Sequence, residues 1–296
     1  MMKSKESFLQ YLKAEKRYSP HTIKSYSNDL DQFSAFLISL DQSDELSEAS
    51  SHDIRAWIVY LMEKDYSAVS VHRKISCLRV FFKYMRKENL IKGDPMQKVA
   101  LPKKEKRLPA FIEEKSMTKL LDEYKFSDDF AGVRDKTIIE MLYFTGMRRA
   151  ELIGLKDSDI DIADLTVKVI GKRNKQRIIP LVKSFIVTLK DYINKRDEAI
   201  EKKDNEWFFI TDKGNKMYEK FVYNKVKSYL SAVTTSDKKS PHILRHTIAT
   251  HMLNKGADLN SIKELLGHAN LSATQVYTHN TFEKLKKIYK QAHPRA

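Results

Sequence analysis

The stretch "HILRH", residues 242–246, sets two histidines four apart around an arginine, so His242, Arg245 and His246 can share one side of a helix. Two histidines at that spacing suggest zinc. The zinc-protease pattern needs a glutamate directly after the first histidine, but Ile243 stands there, and Arg245 would hold a permanent positive charge beside the ion. With no CxxC pair or acidic ligand in company, no metal and no cofactor is expected. Three further stretches carry groups suited to an anion. "TGMRRAEL" (145–152) holds Arg148 and Glu151, "GKRNKQR" (171–177) holds Lys172 in a turn, and "LLGHANLSATQVYTH" (265–279) holds His268, Tyr277 and His279. Each alone has a plainer reading. Arg148 can pair with a carboxylate, a turn lysine is commonly solvated, and the histidines can cap or pack.

The set and its order are more informative. "TGMRRAEL", "VIGKRNKQRIIPL", "HILRHTIATHML" and "LLGHANLSATQVYTH" together resemble the catalytic domain of the tyrosine recombinases, the phage-integrase superfamily, and its Xer group most closely. "TIKSYSNDLDQFSAFL" and "SVHRKISCLRVFFKYM" resemble that group's N-terminal SAM-like core-DNA-binding domain, and the likeness reaches the tail "QAHPRA". Met147 stands where leucine is usual and Arg173 where glycine is usual, which makes the hairpin tip bulkier but leaves Lys172 in place.

The resemblance implies a catalytic set of Arg148, Lys172, His242, Arg245, His268 and Tyr277, and the chemistry shows why these types fit. A tyrosine with a pKa of about 10 is ionised to roughly one part in a thousand at pH 7, so it needs help to attack a phosphodiester. Arg148 and Arg245 can grip the non-bridging oxygens and offset charge in a five-coordinate transition state. Tyr277 then forms a 3′-phosphotyrosine, Lys172 protonates the leaving 5′-oxygen, and His242 accepts or shuttles the tyrosine proton. His268 hydrogen-bonds a phosphate oxygen, and Glu151 orients the first arginine. His279 reads as structural. Arg149, Lys175 and Arg177 are phosphate or solvent contacts that spacing does not separate.

These residues need elements to hold them. The chain has 296 residues, 42% hydrophobic and 31% charged, enough for two ordinary domains. Ser19 and Pro20 open a helix whose stripe is Ile23, Tyr26, Leu30, Phe33 and Leu37. The next clear helix sets Val71, Ile75, Leu78, Phe82 and Met85 on one face. Arg73, Lys74, Arg79, Lys83, Arg86 and Lys87 lie on its other face, either solvated or touching nucleic acid. Cys77 is expected to be packed there. Prolines 95, 102 and 109 with the cations from Lys103 and Lys104 to Arg107 mark a linker at 101–110. It divides a helical domain (1–100) from a catalytic domain (111–296). Gly146 stops a helix, Thr166–Ile170 and Arg177–Ile179 form a hairpin, "EWFFIT" is a further strand candidate, and helices resume from Tyr218. The fold class is mainly α with a small antiparallel sheet in the second domain, and the resemblance implies a two-domain C-shaped clamp.

Charge names the partner. Fifty-four basic against 39 acidic residues give a net charge of +15 and favour a polyanion, most commonly nucleic acid. Arg73, Lys74, Arg79, Lys103, Lys104, Arg173 and Lys175 are candidate DNA contacts. No apolar run is long enough to span a membrane, the start lacks a signal-peptide pattern, and one cysteine suits a reducing compartment, so a cytoplasmic protein is expected. The resemblance implies site-specific recombination of double-stranded DNA through a Holliday junction, by a homo- or hetero-tetramer whose C-terminal segments dock cyclically, with a second recombinase or a DNA translocase as further partners. The role is chromosome dimer resolution, hence partition and cell division, or movement of an element; the length leaves no room for an extra arm-binding domain. The rivals are a type IB-like topoisomerase and a catalytically silent DNA-binding protein.

Overall fold

The computed structural model describes residues 2–41, 45–103, 110–171, 176–200, 206–267 and 279–295, the side chains at 2–3 and 279–285 excepted. It separates into two compact units, Met1–Arg107 and Leu108–Ala296. Most of the sequence-predicted linker, 104–109, lies outside the described residues.

The first unit contains α1 (Met2–Ala14), α2 (Pro20–Ile38), α3 (Ser51–Glu63) and α4 (Ala68–Lys87). Ser19 caps α2 by accepting from the Thr22 N–H, with Pro20 at the first turn. Ser50 and Asp53 form a reciprocal capping box on α3. Leu30, Phe33 and Leu37 of α2 are buried with Trp57 of α3 and with Val71, Ile75, Leu78 and Phe82 of α4, while Ile23 and Tyr26 are partly buried. Cys77 lies within this core, and burial pushes its thiol well above the usual range.

Lys74 departs from the sequence reading. It was expected on the basic outer face of α4, but it is 2% exposed, with its ammonium on Asp29 (3.1 Å) and Gln32. Asp29 itself is buried and also takes both arms of Arg73. A buried carboxylate needs counter-charge, and Lys74 supplies it from inside; Arg79 and Lys103 are exposed.

In the second unit, α5 (Glu114–Thr118) runs into a π-helical turn, Lys119–Glu123, and is followed by α6 (Phe130–Thr145) and α7 (Arg149–Ile153). The strands β1 (Ile160–Asp161), β2 (Thr166–Ile170) and β3 (Gln176–Pro180) follow, then α8 (Lys183–Ala199), α9 (Glu219–Val233), α10 (Pro241–Asn254), α11 (Leu259–Leu266) and α12 (His279–Ala292). The sheet is antiparallel in the order β1-β2-β3, with Val167 opposite Ile179 and Val169 opposite Arg177. "EWFFIT" forms no named strand among the described residues. Trp207 and Ile210 make only isolated bridges, to Lys156 and Lys216, and the third strand is the two-residue β1.

Helix α6 is buried on nearly every side, from Val133 to Thr145, and forms the axis of this unit. Its polar contacts anchor α10. His251 Nε2 meets the Ile112 carbonyl at 2.9 Å, so that nitrogen carries the proton, and Nδ1 accepts from the Tyr143 hydroxyl at 2.8 Å. The Thr247 hydroxyl accepts from the Ile112 N–H at 3.0 Å. At the other end of the chain, Tyr289 is buried and donates to the Phe144 carbonyl at 3.1 Å, and Arg295 pairs with Asp122. The C-terminal segment thus packs against α6 of its own chain.

Gly146 ends α6 in the left-handed region at φ +59, and a Cβ there would lie 2.6 Å from Leu266. Gly146→Ala is therefore expected to cost roughly 2 kcal/mol or more, read as a lower denaturant midpoint. An unchanged midpoint would show that α6 and α11 are not fitted this closely.

Candidate active site

Arg148 stands at the entrance of α7, where the sharp exit from α6 at Gly146 redirects the chain. Glu151, one turn on, accepts the Arg148 backbone N–H at 2.8 Å and its guanidinium at 2.7 Å. The carboxylate is 8% exposed and takes a second cation: Arg177 of β3 places Nη1 3.0 Å from Oε1 and Nη2 2.7 Å from Oε2. Burial alone would raise the Glu151 pKa, but the hydrogen bonds and charge of Arg177, with those of Arg148, outweigh it and hold the carboxyl below its usual range. Glu151 is thus an ionised anchor for Arg148.

Arg245 enters from α10. It is 6% exposed and donates to the carbonyls of Gly146 and Leu266, bridging the end of α6 to the end of α11. Burial, then the positive charges of Arg148 and Arg177, pull its pKa down to about 10 against the opposing pull of Glu151, which leaves it charged at neutral pH. His242, one turn earlier on α10, is exposed. Partial desolvation, followed by the fields of His246, Arg149, Arg245 and Arg148, lowers its pKa below 6.5 and favours the neutral, proton-accepting ring. An open cavity of about 440 Å³ adjoins it, lined by His242 and His246, by Tyr223 and Lys227 of α9, and by Lys238 and Lys239 before α10. Cationic rims of this kind suit an anionic chain.

Of the sequence-predicted catalytic set, Arg148 and Arg245 lie in the field of Glu151, and His242 lies in the field of both arginines. Lys172, His268 and Tyr277 lie outside the described residues, as do the candidate contacts Lys104, Arg173 and Lys175. The frames that lead to them are described: β2 and β3 flank 172–175, and α11 ends at Gly267 in the left-handed region, φ +66. Arg149 is paired with Glu219. Arg177, read from sequence as a phosphate or solvent contact, is 5% exposed and bound to Glu151 and to the Leu265 carbonyl (Nε–O 3.0 Å). Alternation in "QRIIP" carries the missed signal. If Ile179 faces the core, Arg177 does too, and an inward arginine demands a buried anion.

Residues 110–284, more than half of the chain, match the Phage integrase family, and residues 6–89 match the Phage integrase, N-terminal SAM-like domain. The chain belongs to the phage integrase family. Among curated relatives, it is 40% identical over 299 residues to the tyrosine recombinase XerC of Staphylococcus saprophyticus, covering 100% of this chain and 99% of that one. It is 38% identical over 292 residues to XerC of Bacillus subtilis (strain 168), with 98% and 95% covered. The fold of the XerH site-specific recombinase bound to difH substrate aligns with a TM-score of 0.69 at 23% identity, over 96% of this chain and 83% of that one. The Tn1549 transposon integrase in complex with circular intermediate DNA aligns with a TM-score of 0.70 at 18% identity, over 96% and 99%. This integrase-family chain is a tyrosine recombinase with a helical SAM-like domain ahead of its catalytic domain.

The His242 environment has a measurable consequence. Its folded form stays neutral to lower pH than the unfolded chain, so the residue detracts from stability as pH falls below about 6.5. An NMR titration of His242 is expected to give a midpoint under 6.5; a midpoint at or above that value would show that partial burial and the charges of His246 and the arginines do not act on this ring.

Proposed function

We propose that this recombinase cuts and rejoins double-stranded DNA at specific sites through a 3′-phosphotyrosine, with Tyr277 as nucleophile. The observation that carries the mechanism is the convergence of Arg148 and Arg245 beside a neutral His242, with Glu151 ionised beneath the first arginine. Two fixed guanidiniums can hold the non-bridging oxygens of one phosphodiester and stabilise the extra charge of the five-coordinate transition state. His242 takes the phenolic proton as the Tyr277 oxygen bonds to phosphorus. The bond from phosphorus to the 5′-oxygen breaks, and Lys172 protonates that oxygen. A 5′-hydroxyl from another strand then attacks the phosphotyrosine, releases Tyr277 and restores the diester, so no external energy source is consumed. His268 is assigned to a phosphate oxygen. Arg79 and Lys103 are exposed cations suited to backbone phosphates, and Lys104, Arg173 and Lys175 are assigned there too.

Two XerC proteins that match over nearly the whole chain favour an Xer-type role, with chromosome dimer resolution in the cytoplasm as the reading of choice over a relaxing topoisomerase. The λ integrase, a fold relative at 18% identity and a TM-score of 0.69, is a tetramer bound to a Holliday junction. By analogy, four protomers synapse two sites, and α12, packed here on its own α6, is the segment exchanged around the ring.

Duplexes enriched from a randomised pool by the protein itself, then nicked to trap the intermediate, test the chemistry. Wild type is expected to form a covalent adduct and Tyr277→Phe none; an adduct with Tyr277→Phe would overturn the nucleophile assignment. Lys172→Ala is expected to slow cleavage by about 10²-fold or more, with recovery on a substrate whose 5′-leaving oxygen is replaced by sulfur. No recovery would remove Lys172 as the general acid. Binding to these duplexes should weaken steeply with salt, and a flat response would count against a DNA-wrapping clamp.

A further inference from the structure

Arg177 is held by more than packing. It sits at an inward position of β3 opposite Val169, and its guanidinium fork matches both Glu151 oxygens while Nε donates to the Leu265 carbonyl. A Cβ on Gly267 would come within 3.2 Å of this side chain, so the chain leaving α11 passes directly over it. Nε, Nη1 and Nη2 are all engaged, by the Leu265 carbonyl and the Glu151 carboxylate, which commits its guanidinium to holding those groups. It joins three pieces of backbone: the strand that follows Lys172, the helix entrance bearing Arg148, and the helix end leading to His268. The charges are informative as well. Arg148, Arg177 and Arg245 with Glu151 sum to two net positive charges, which matches what Arg148 and Arg245 would present if Glu151 were cancelled.

We propose that Arg177 is a positioning residue that neutralises Glu151, so that Glu151 can orient Arg148 without quenching the charge Arg148 offers to the scissile phosphate. The inference rests on the phosphate-gripping role of Arg148 proposed above. Without Arg177, Arg148 becomes the sole counter-ion of a buried carboxylate. Its guanidinium is drawn toward Glu151, and the cluster presents one positive charge instead of two. The loss falls on cleavage more than on binding, because charge develops on the phosphate oxygens in the transition state.

A charge explanation and a merely structural one differ in the sign of one double-variant cycle. Single-turnover adduct formation on the enriched nicked duplex is measured for wild type, Glu151→Gln, Arg177→Gln and the double variant, with duplex affinity and thermal unfolding in parallel. Arg177→Gln is expected to slow cleavage by about 10²-fold with little change in affinity. The double variant, which restores two positive charges and a neutral hydrogen-bonding pair, is expected to recover at least tenfold of that loss. A double variant as slow as Arg177→Gln, or slower, would overturn the proposal. Arg177→Lys guards against misfolding of the glutamine variant: it keeps the charge without the fork and is expected to cleave faster than Arg177→Gln, whereas equal rates would also overturn it. Absence of an adduct with wild type would bring down the recombinase reading and this inference together, while a wild-type adduct with no rescue brings down this inference alone.

Discussion

Burying an ionised carboxylate costs several kcal/mol unless charge and hydrogen bonds replace the lost water, and Glu151 meets that condition through two guanidiniums at once. Its demands organise the catalytic unit. One oxygen pair must face the entrance of α7, where Arg148 begins the helix, and the same pair must face β3. Arg245 adds the remaining constraint by tying the last carbonyl of α6 to the last of α11. Helix ends that would leave carbonyls without partners are satisfied here by the Arg245 guanidinium, so stability and the geometry of the candidate site share the same contacts.

The N-terminal unit solves a related problem with the same means. Asp29 is buried between α2 and α4 and satisfied by Arg73 and Lys74, which binds two helices through one carboxylate. The periodicity of Val71, Ile75, Leu78, Phe82 and Met85 made the apolar face of α4 legible. It did not reveal Lys74, because a lysine at the edge of an apolar stripe reads as solvated until its partner, 45 positions earlier, is seen. Long stems of this kind can lie along a core and deliver their charge to a buried anion.

In the catalytic unit, legibility followed locality. Gly146 as a helix stop and the hairpin from Thr166 onward were readable because turn chemistry and alternation act over a few residues. β1 was missed because two residues carry no period, and "EWFFIT" looked like a strand because its apolar aromatics are buried for other reasons. The candidate site residues came from the order of four separated motifs; the described structure sets Arg148 and Arg245 in the field of Glu151, and His242 in the field of both arginines. Local alternation could turn Arg177 inward, but it could not name the partners that set its role, 26 residues before it and 88 after it.

The pairing of Val169 with Arg177 has a further meaning for the hairpin. A slip of one residue in β3 would turn Ile178 inward and Arg177 to solvent, leaving Glu151 with half its counter-charge and an apolar side chain against it. The penalty for that error is electrostatic as well as steric, so the strand ends are pinned whatever the turn contains. Substitutions between Ile170 and Gln176, Lys172 excepted, then need not drag the strands out of alignment. The base of the hairpin is proofread by an ion pair.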